Sequence, residues 1–224
     1  MSEQRHCQTS QRGGKQFLFN AHKEAVMIGG EEIEIERKWL LKELPKVEFG
    51  QVIQIEQYYK DWLRYRRELN SIGEFFYCIK KERLSHGVNR ETWQDCTKED
   101  FYFNYPQDEK PIKKTRHVLE YEGHNLEIDT FENGLVMMEI EVKSLSEPIQ
   151  IPQIIHAQIE REVTGDAEYS NYQLYKSFNK EQRLNELTDT QRYNLSTGGR
   201  SAGRAQLIRQ LKRDYFTQRN KNKP

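Results

Sequence analysis

The segment Glu34-Ile35-Glu36-Arg37-Lys38 sets two carboxylates and an ammonium at alternate positions. On an extended strand those three side chains share one face and Ile35 points the other way. Such a face suits a place where a divalent cation and an anion meet, the carboxylates holding the cation and the lysine the anion. Phosphate chemistry is the natural reading. The wet side of an ordinary antiparallel strand can look the same, so the motif needs support from other strands.

Two-residue parity supplies that support. Arg64 and Arg66 share a face opposite Leu63 and Tyr65, Lys80 lies opposite Tyr77 and Ile79, and Lys114 pairs with Arg116. Glu127 and Asp129 oppose Leu126 and Ile128, and Glu139, Glu141 and Lys143 oppose Met138, Ile140 and Val142. Six strands therefore repeat one design, a charged face backed by an apolar one. The charged faces are either the outside of a β-sandwich or barrel with an apolar interior, or the lining of a water-filled tunnel in a closed antiparallel barrel. Sorting of charge favours the tunnel. Cations alone stand at 64–66, 80 and 114–116, and anions at 127–129 and 139–141, giving a cationic wall and an acidic patch. A polyanion bound through metal ions requires that division.

The elements that must position these residues are mostly strands. From Glu31 to about Lys143, short segments rich in Ile, Val, Tyr and Phe alternate with turn signals at Asn70–Gly73, His86-Gly87, Glu122–Asn125 and Glu132–Gly134, which predicts a β-meander. A short helix is expected over 152–162, one near 180–187, and one over 202–216, with a linker at 194–203. Residues 1–30 read as a flexible leader and 177–224 as a basic, partly helical tail.

The zero net charge conceals that division: residues 176–224 carry twelve Lys or Arg against four Asp or Glu, whereas 31–175 carry nineteen against twenty-nine. A basic tail of this kind could hold nucleic acid. No apolar run reaches the ~18 residues of a spanning helix, so a cytoplasmic protein with no membrane partner is expected. The three cysteines, Cys7, Cys78 and Cys96, have neither zinc-site nor disulfide-framework spacing and read as free thiols. His117 and His124 lack an obvious partner on a charged face, Trp39, Trp62 and Trp93 read as packing residues, and Thr164-Gly165-Asp166 reads as a turn with an Asp helix cap or as a functional loop.

Assembled, these residues resemble the CYTH superfamily, the triphosphate tunnel metalloenzymes, in particular its small bacterial inorganic triphosphatases. The matching pieces run in order over about 31–176: Glu-x-Glu-x-Lys at 34–38, Arg-x-Arg at 64–66, Ile79-Lys80, Lys114-x-Arg116, Glu127-Ile128-Asp129-x-Phe131, Glu139-x-Glu141, and Glu162–Asn171. The resemblance implies a mainly β (α+β) fold, an eight-stranded antiparallel tunnel with a few flanking helices. It implies hydrolysis of a terminal phosphoanhydride bond with Mg²⁺ or Mn²⁺, inorganic triphosphate being the first substrate expected. RNA, nucleoside or thiamine triphosphates, adenylate cyclisation, and polyphosphate or nucleotide binding without turnover are the alternatives. A homodimer is compatible with it.

By position, Glu34, Glu36, Glu139 and Glu141 would hold metal and, with Lys38, carry the catalysis. Lys38, Arg64, Arg66, Lys80, Lys114 and Arg116 would bind phosphates, and Asp129 would orient an arginine or join the metal site. Two departures stand out. Thr92-Trp93-Gln94 occupies the place of two further carboxylates, so the acidic side is expected to be two charges short unless Glu91 or Asp95 replaces them. Gln57-Tyr58-Tyr59 lacks the glycine of the family's second strand, and Tyr59 is expected to be its tyrosine.

Overall fold

Alternation of charged and apolar residues does produce strands, and the strands close on themselves. The structure is a computed structural model that describes residues 30–185. Strands β1 (Glu31–Leu41), β2 (Gln51–Lys60), β3 (Leu63–Leu69), β4 (Glu74–Ser85), β5 (Val88–Gln94), β6 (Ile112–Tyr121), β7 (His124–Phe131) and β8 (Val136–Glu141) together build an antiparallel barrel. The order β5-β4-β3-β2-β6-β7-β8-β1 is closed by pairing of β5 with β1, and β9 (Ile159–Glu162) adds to β1 from outside. The expected mainly β, eight-stranded barrel is the fold observed.

Which face turns inward follows from burial and register. Trp39, Leu41, Leu126, Ile128, Met138 and Ile140 form one apolar cluster on the outer side of β1, β7 and β8, covered by Ile155 of the short helix α2 (Gln153–His156) and by the neighbouring Ile149, Ile151 and Ile159. Each such side chain contributes roughly 1.5–3 kcal/mol on burial. Tyr58, Tyr65 and Phe76 face outward from β2, β3 and β4. Tyr58 stacks on Tyr65 at 5.0 Å and meets Phe101 edge-on at 5.1 Å, and Phe101 also meets Phe76. Phe101 sits on helix α1 (Lys98–Phe103), begun by a capping box between Thr97 and Asp100. With most apolar residues outside and covered, the charged faces line the interior, alongside a small inward apolar cluster of Ile53, Ile55 and Val118.

Two glycines lock the turn that leads into β5. Gly87 has φ +65°, and a Cβ there would meet Leu145, Thr164 and the Glu36 carbonyl at 2.9–3.1 Å. Gly165, at φ +64°, has the His86 ring where its Cβ would be. Both need a left-handed backbone and a vacant side-chain position, which only glycine supplies.

Among the described residues, 30–106 together with 113–165 form one compact unit, and 107–112 with 166–185 form another. In the second, Asp166 caps a 3-10 turn (Ala167–Tyr169) that precedes helix α3 (Asn171–Asn185). Asn179 of α3 clamps Lys110, accepting from its N–H at 2.7 Å and donating to its carbonyl at 3.0 Å.

Three expectations are corrected. The helix over 152–162 is only Gln153–His156, because Ile159–Glu162 extend and pair with β1. The helix near 180–187 begins earlier, at Asn171. Trp62 does not pack: it occupies a tight β2–β3 turn at φ +68° and is 80% exposed. The leader apart from Gly30, the linker at 194–203, the helix over 202–216 and Cys7 lie outside the described residues. Cys78 and Cys96 are free thiols. Among the described residues no helix is long and apolar enough to cross a membrane.

Candidate functional site

Cross-strand register assigns each charged residue its place, since residues directly opposite in an antiparallel pair project to the same face. Glu34 lies opposite Asn89, Glu36 opposite Glu141, and Lys38 opposite Glu139. Glu139 lies opposite Glu127, and Arg116 opposite Asp129. Arg64 and Arg66 lie opposite Tyr59 and Gln57 on one side and Ile79 and Tyr77 on the other. The interior therefore gathers Glu34, Glu36, Lys38, Arg64, Arg66, Lys114, Arg116, Glu127, Asp129 and Glu139, and Tyr59 faces it as expected. Glu141 lies at the end of β8 and is exposed.

Lys80 is the exception. It is exposed, and Lys81 takes the inward position, opposite Glu91. Two adjacent lysines carry no parity of their own, and only the pairing of Ile79 with Arg64 fixes which one turns inward. The same register turns Thr92 and Gln94 outward, opposite Lys80 and Cys78, and turns Asn89, Glu91 and Trp93 inward. The acidic side is thus not two charges short, because Glu91 supplies one of them. Lys81 is the site residue that sequence reasoning missed, and Glu91 is the replacement it had left open. The signal was present in the alternation Asn89, Glu91, Trp93, read one position out of phase.

Three carboxylates converge on Lys81. Its Nζ contacts Glu34 directly, Glu36 at 3.4 Å and Glu91 at 3.3 Å. Asn89 donates to Glu34 and Glu36 at 3.5 and 3.4 Å. Burial pushes the Glu34 carboxyl up to about 8; the Lys81 ammonium opposes this, and Glu36 and Glu91 add to the rise. Burial alone would lower Lys81, but the three carboxylates outweigh it and hold the ammonium charged. Burial likewise works to raise Glu91, and Arg64 and Lys81 hold it below the usual range.

The opposite wall is knitted more tightly. Lys114 donates to Asp129 at 2.5 Å, and neither side chain is exposed. Arg116 donates to both Asp129 oxygens, at 2.8 and 2.7 Å, to Glu139 at 2.8 Å, and to Glu127. Asp129 therefore orients an arginine. Lys38 bridges Glu139 at 2.8 Å and Glu36 at 3.5 Å. Burial pushes Lys114 down to about 8 against the pull of Asp129, with Arg116 adding to the fall. Burial would raise Asp129 and Glu139; for Asp129 the cations Arg116 and Lys114 reverse it, and for Glu139 Lys38 leads.

Arg64 and Arg66 on β3 are held differently. Arg64 meets Glu91 at 3.2 Å through one terminal nitrogen and leaves its Nε without a hydrogen bond. Arg66 forms an ion pair with Glu68 at 2.5 Å, and its Nε and Nη2 are buried without a hydrogen bond. The Gln57 amide oxygen beside them is also unpaired. Buried donors normally have partners, and guanidinium N–H groups left open in a polar interior are suited to receive an anion.

The family resemblance implies a divalent cation, and the carboxylates of the interior can be tested for their fit to one. Among the described residues no group of three or more His, Cys, Asp or Glu is drawn together in a metal-holding arrangement. The donor chemistry nevertheless fits: Glu34, Glu36 and Glu91 converge on one cation, and Glu34 stays hard to ionise even beside the Lys81 ammonium. Hard oxygen ligands of this kind suit Mg²⁺ or Mn²⁺. Glu141 lies in register with Glu36 and could join them, whereas Glu139 is engaged by Lys38 and Arg116.

No protein-family model matches the chain, and no curated protein does. Among solved structures it is similar to the hypothetical protein NE1496, at 24% identity over 63% of this chain and 97% of that one, with a TM-score of 0.41. It is also similar to a conserved hypothetical protein from Pyrococcus furiosus, at 19% identity over 56% of this chain and 85% of that one, with a TM-score of 0.34.

Proposed function

We propose that the protein is a divalent-metal-dependent triphosphatase of the CYTH kind, cleaving a terminal phosphoanhydride bond inside its barrel. The observation that carries this reading is the pair of buried β3 arginines with open N–H groups, facing an acidic cluster within one closed interior. Arg64 and Arg66 would donate to phosphate oxygens and stabilise charge on the transferring group. Lys38 holds Glu36 and Glu139 in place and would present its ammonium to the same anion. Burial holds the Glu34 carboxyl up to about 8, so a bound divalent cation would be what ionises it and fits it to serve as a ligand. When bound, Mg²⁺ or Mn²⁺ supplies Lewis-acid polarisation of the phosphoryl oxygens, and Glu34, Glu36 and Glu91 would hold it. Inorganic triphosphate is the smallest triphosphate that meets these requirements.

The test is phosphate release from inorganic triphosphate, ATP and thiamine triphosphate with Mg²⁺ or Mn²⁺. Release that depends on metal and falls at least about a hundredfold in Glu36→Gln supports the reading. Tight binding with no release under any metal would make the barrel a polyphosphate-binding module instead.

A further inference from the structure

Trp93 interrupts the charged lining at an unexpected place. It follows Asn89 and Glu91 on the inward face of β5, and its partner in register is Ile79, which is itself opposite Arg64. One row across four strands thus reads Tyr59, Arg64, Ile79, Trp93, and the next reads Gln57, Arg66, Tyr77. Tyr77 meets Trp93 edge-on, with ring centroids 5.7 Å apart at 84°. The two rings therefore stand beside the two arginines, Tyr77 one strand from Arg66 and Trp93 two strands from Arg64. By strand spacing these separations are about 5 and 10 Å.

Packing alone accounts poorly for this pair. Both rings retain partial exposure, so neither is a fully buried filler. The indole Nε1 is buried without a hydrogen-bond partner, on the same inward face as Arg66, whose Nε also lacks one. An indole N–H is only a donor and requires an acceptor. A neutral heterocycle with ring-nitrogen or carbonyl acceptors satisfies the indole and offers a π-face to the rings, while a phosphate joined to it satisfies Arg66. A cationic ring is disfavoured so near Arg66. Inorganic triphosphate could satisfy the arginines but would leave the aromatic pair without a role.

Building on the triphosphatase reading, we infer that Trp93 and Tyr77 form a base-binding subsite that selects nucleoside triphosphates, free or as the 5′ end of an RNA, over inorganic triphosphate. Trp93 and Tyr77 are specificity-determining residues; the phosphates remain the business of Arg64 and Arg66.

The experiment is calorimetric titration of the full chain, without divalent metal, with inorganic triphosphate, with a methylene-bridged ATP analogue and with a short RNA bearing a 5′-triphosphate. The inference expects the nucleotide or the RNA to bind on the order of tenfold or more tightly than inorganic triphosphate. Trp93→Leu and Tyr77→Leu should erase that preference and leave inorganic triphosphate affinity within about twofold. Whichever nucleotide probe binds more tightly identifies the source. Equal or tighter binding of inorganic triphosphate by the unaltered protein overturns the inference and leaves the triphosphatase reading standing. A loss shared equally by all three probes in the variants also overturns it, since the rings would then only shape the barrel. Binding of none of them removes the triphosphate site itself. Should either variant fail to fold, the Trp93 indole N–H resonance of the unaltered protein decides. A shift with the ATP analogue and none with inorganic triphosphate supports the subsite, and the same response to both contradicts it.

Discussion

The two walls of the barrel use the same residue types to opposite ends. Along β6, β7 and β8, Arg116 reaches three carboxylates and Lys114 is sealed against Asp129, so these cations have their partners within the fold. Along β3, Arg64 and Arg66 are equally buried yet keep donors unpaired. A buried N–H donor without an acceptor is costly, and the β3 wall bears that cost at Arg64 and Arg66 even though each is ion-paired, to Glu91 and Glu68. The contrast separates cations saturated within the fold from cations with N–H donors to spare, a distinction invisible in a count of lysines and arginines.

The largest effect should come from breaking the paired wall. Asp129→Ala leaves Lys114 and Arg116 short of their shared carboxylate and should cost about 3–5 kcal/mol of stability, read as a drop in the urea or thermal midpoint. The open wall should respond in function: Arg66→Ala is expected to lower phosphate release roughly a hundredfold while disturbing stability far less than Asp129→Ala. Equal destabilisation by the two substitutions would erase the contrast.

A pH series sharpens the view of the acidic cluster. The folded protein holds Glu34 up to about 8, above its ordinary value of 4.5, so the folded state binds the proton more tightly than the unfolded one. Stability attributable to this group is present below the unfolded value and declines as pH rises through the folded one. Glu34→Gln removes that dependence. Its stability advantage over the unaltered protein should grow between about pH 5 and 8 and then level off, as measured by chemical denaturation across pH. A gap that is constant with pH would mean Glu34 ionises normally. The smallest effect belongs to Lys80→Ala, which should leave both melting and phosphate release unchanged, whereas Lys81→Ala should alter both.

Much of this arrangement was legible in the sequence, for a definite reason. A strand has period two, so any segment with one clear charged residue and one clear apolar neighbour declares its inward face. Glu34 to Lys38, Arg64 to Arg66, Lys114 to Arg116 and Leu126 to Asp129 all do so, and all were assigned correctly. Parity failed where neighbours are chemically alike, at Lys80-Lys81, and where the segment mixes signals, at Arg90–Gln94. In both cases the answer lies in pairing with another strand, and a one-residue slip exchanges the two faces. The pairing state of each charge was also hidden: that Arg116 is saturated and Arg66 is not depends on side chains from three different strands. Charge sorting was overestimated as well, because Glu68 and Glu91 stand among the cations on the inward face.

The central claim is that the β3 arginines await a phosphate while the β6 arginine does not, and arginine Nε–H resonances report on it directly. Titrating inorganic triphosphate or the ATP analogue into the isotope-labelled protein should shift the Arg64 and Arg66 Nε–H signals and leave that of Arg116, already bonded to Asp129, in place. Stationary Arg64 and Arg66 signals under both ligands, or an Arg116 signal that moves as far as theirs, would contradict the account.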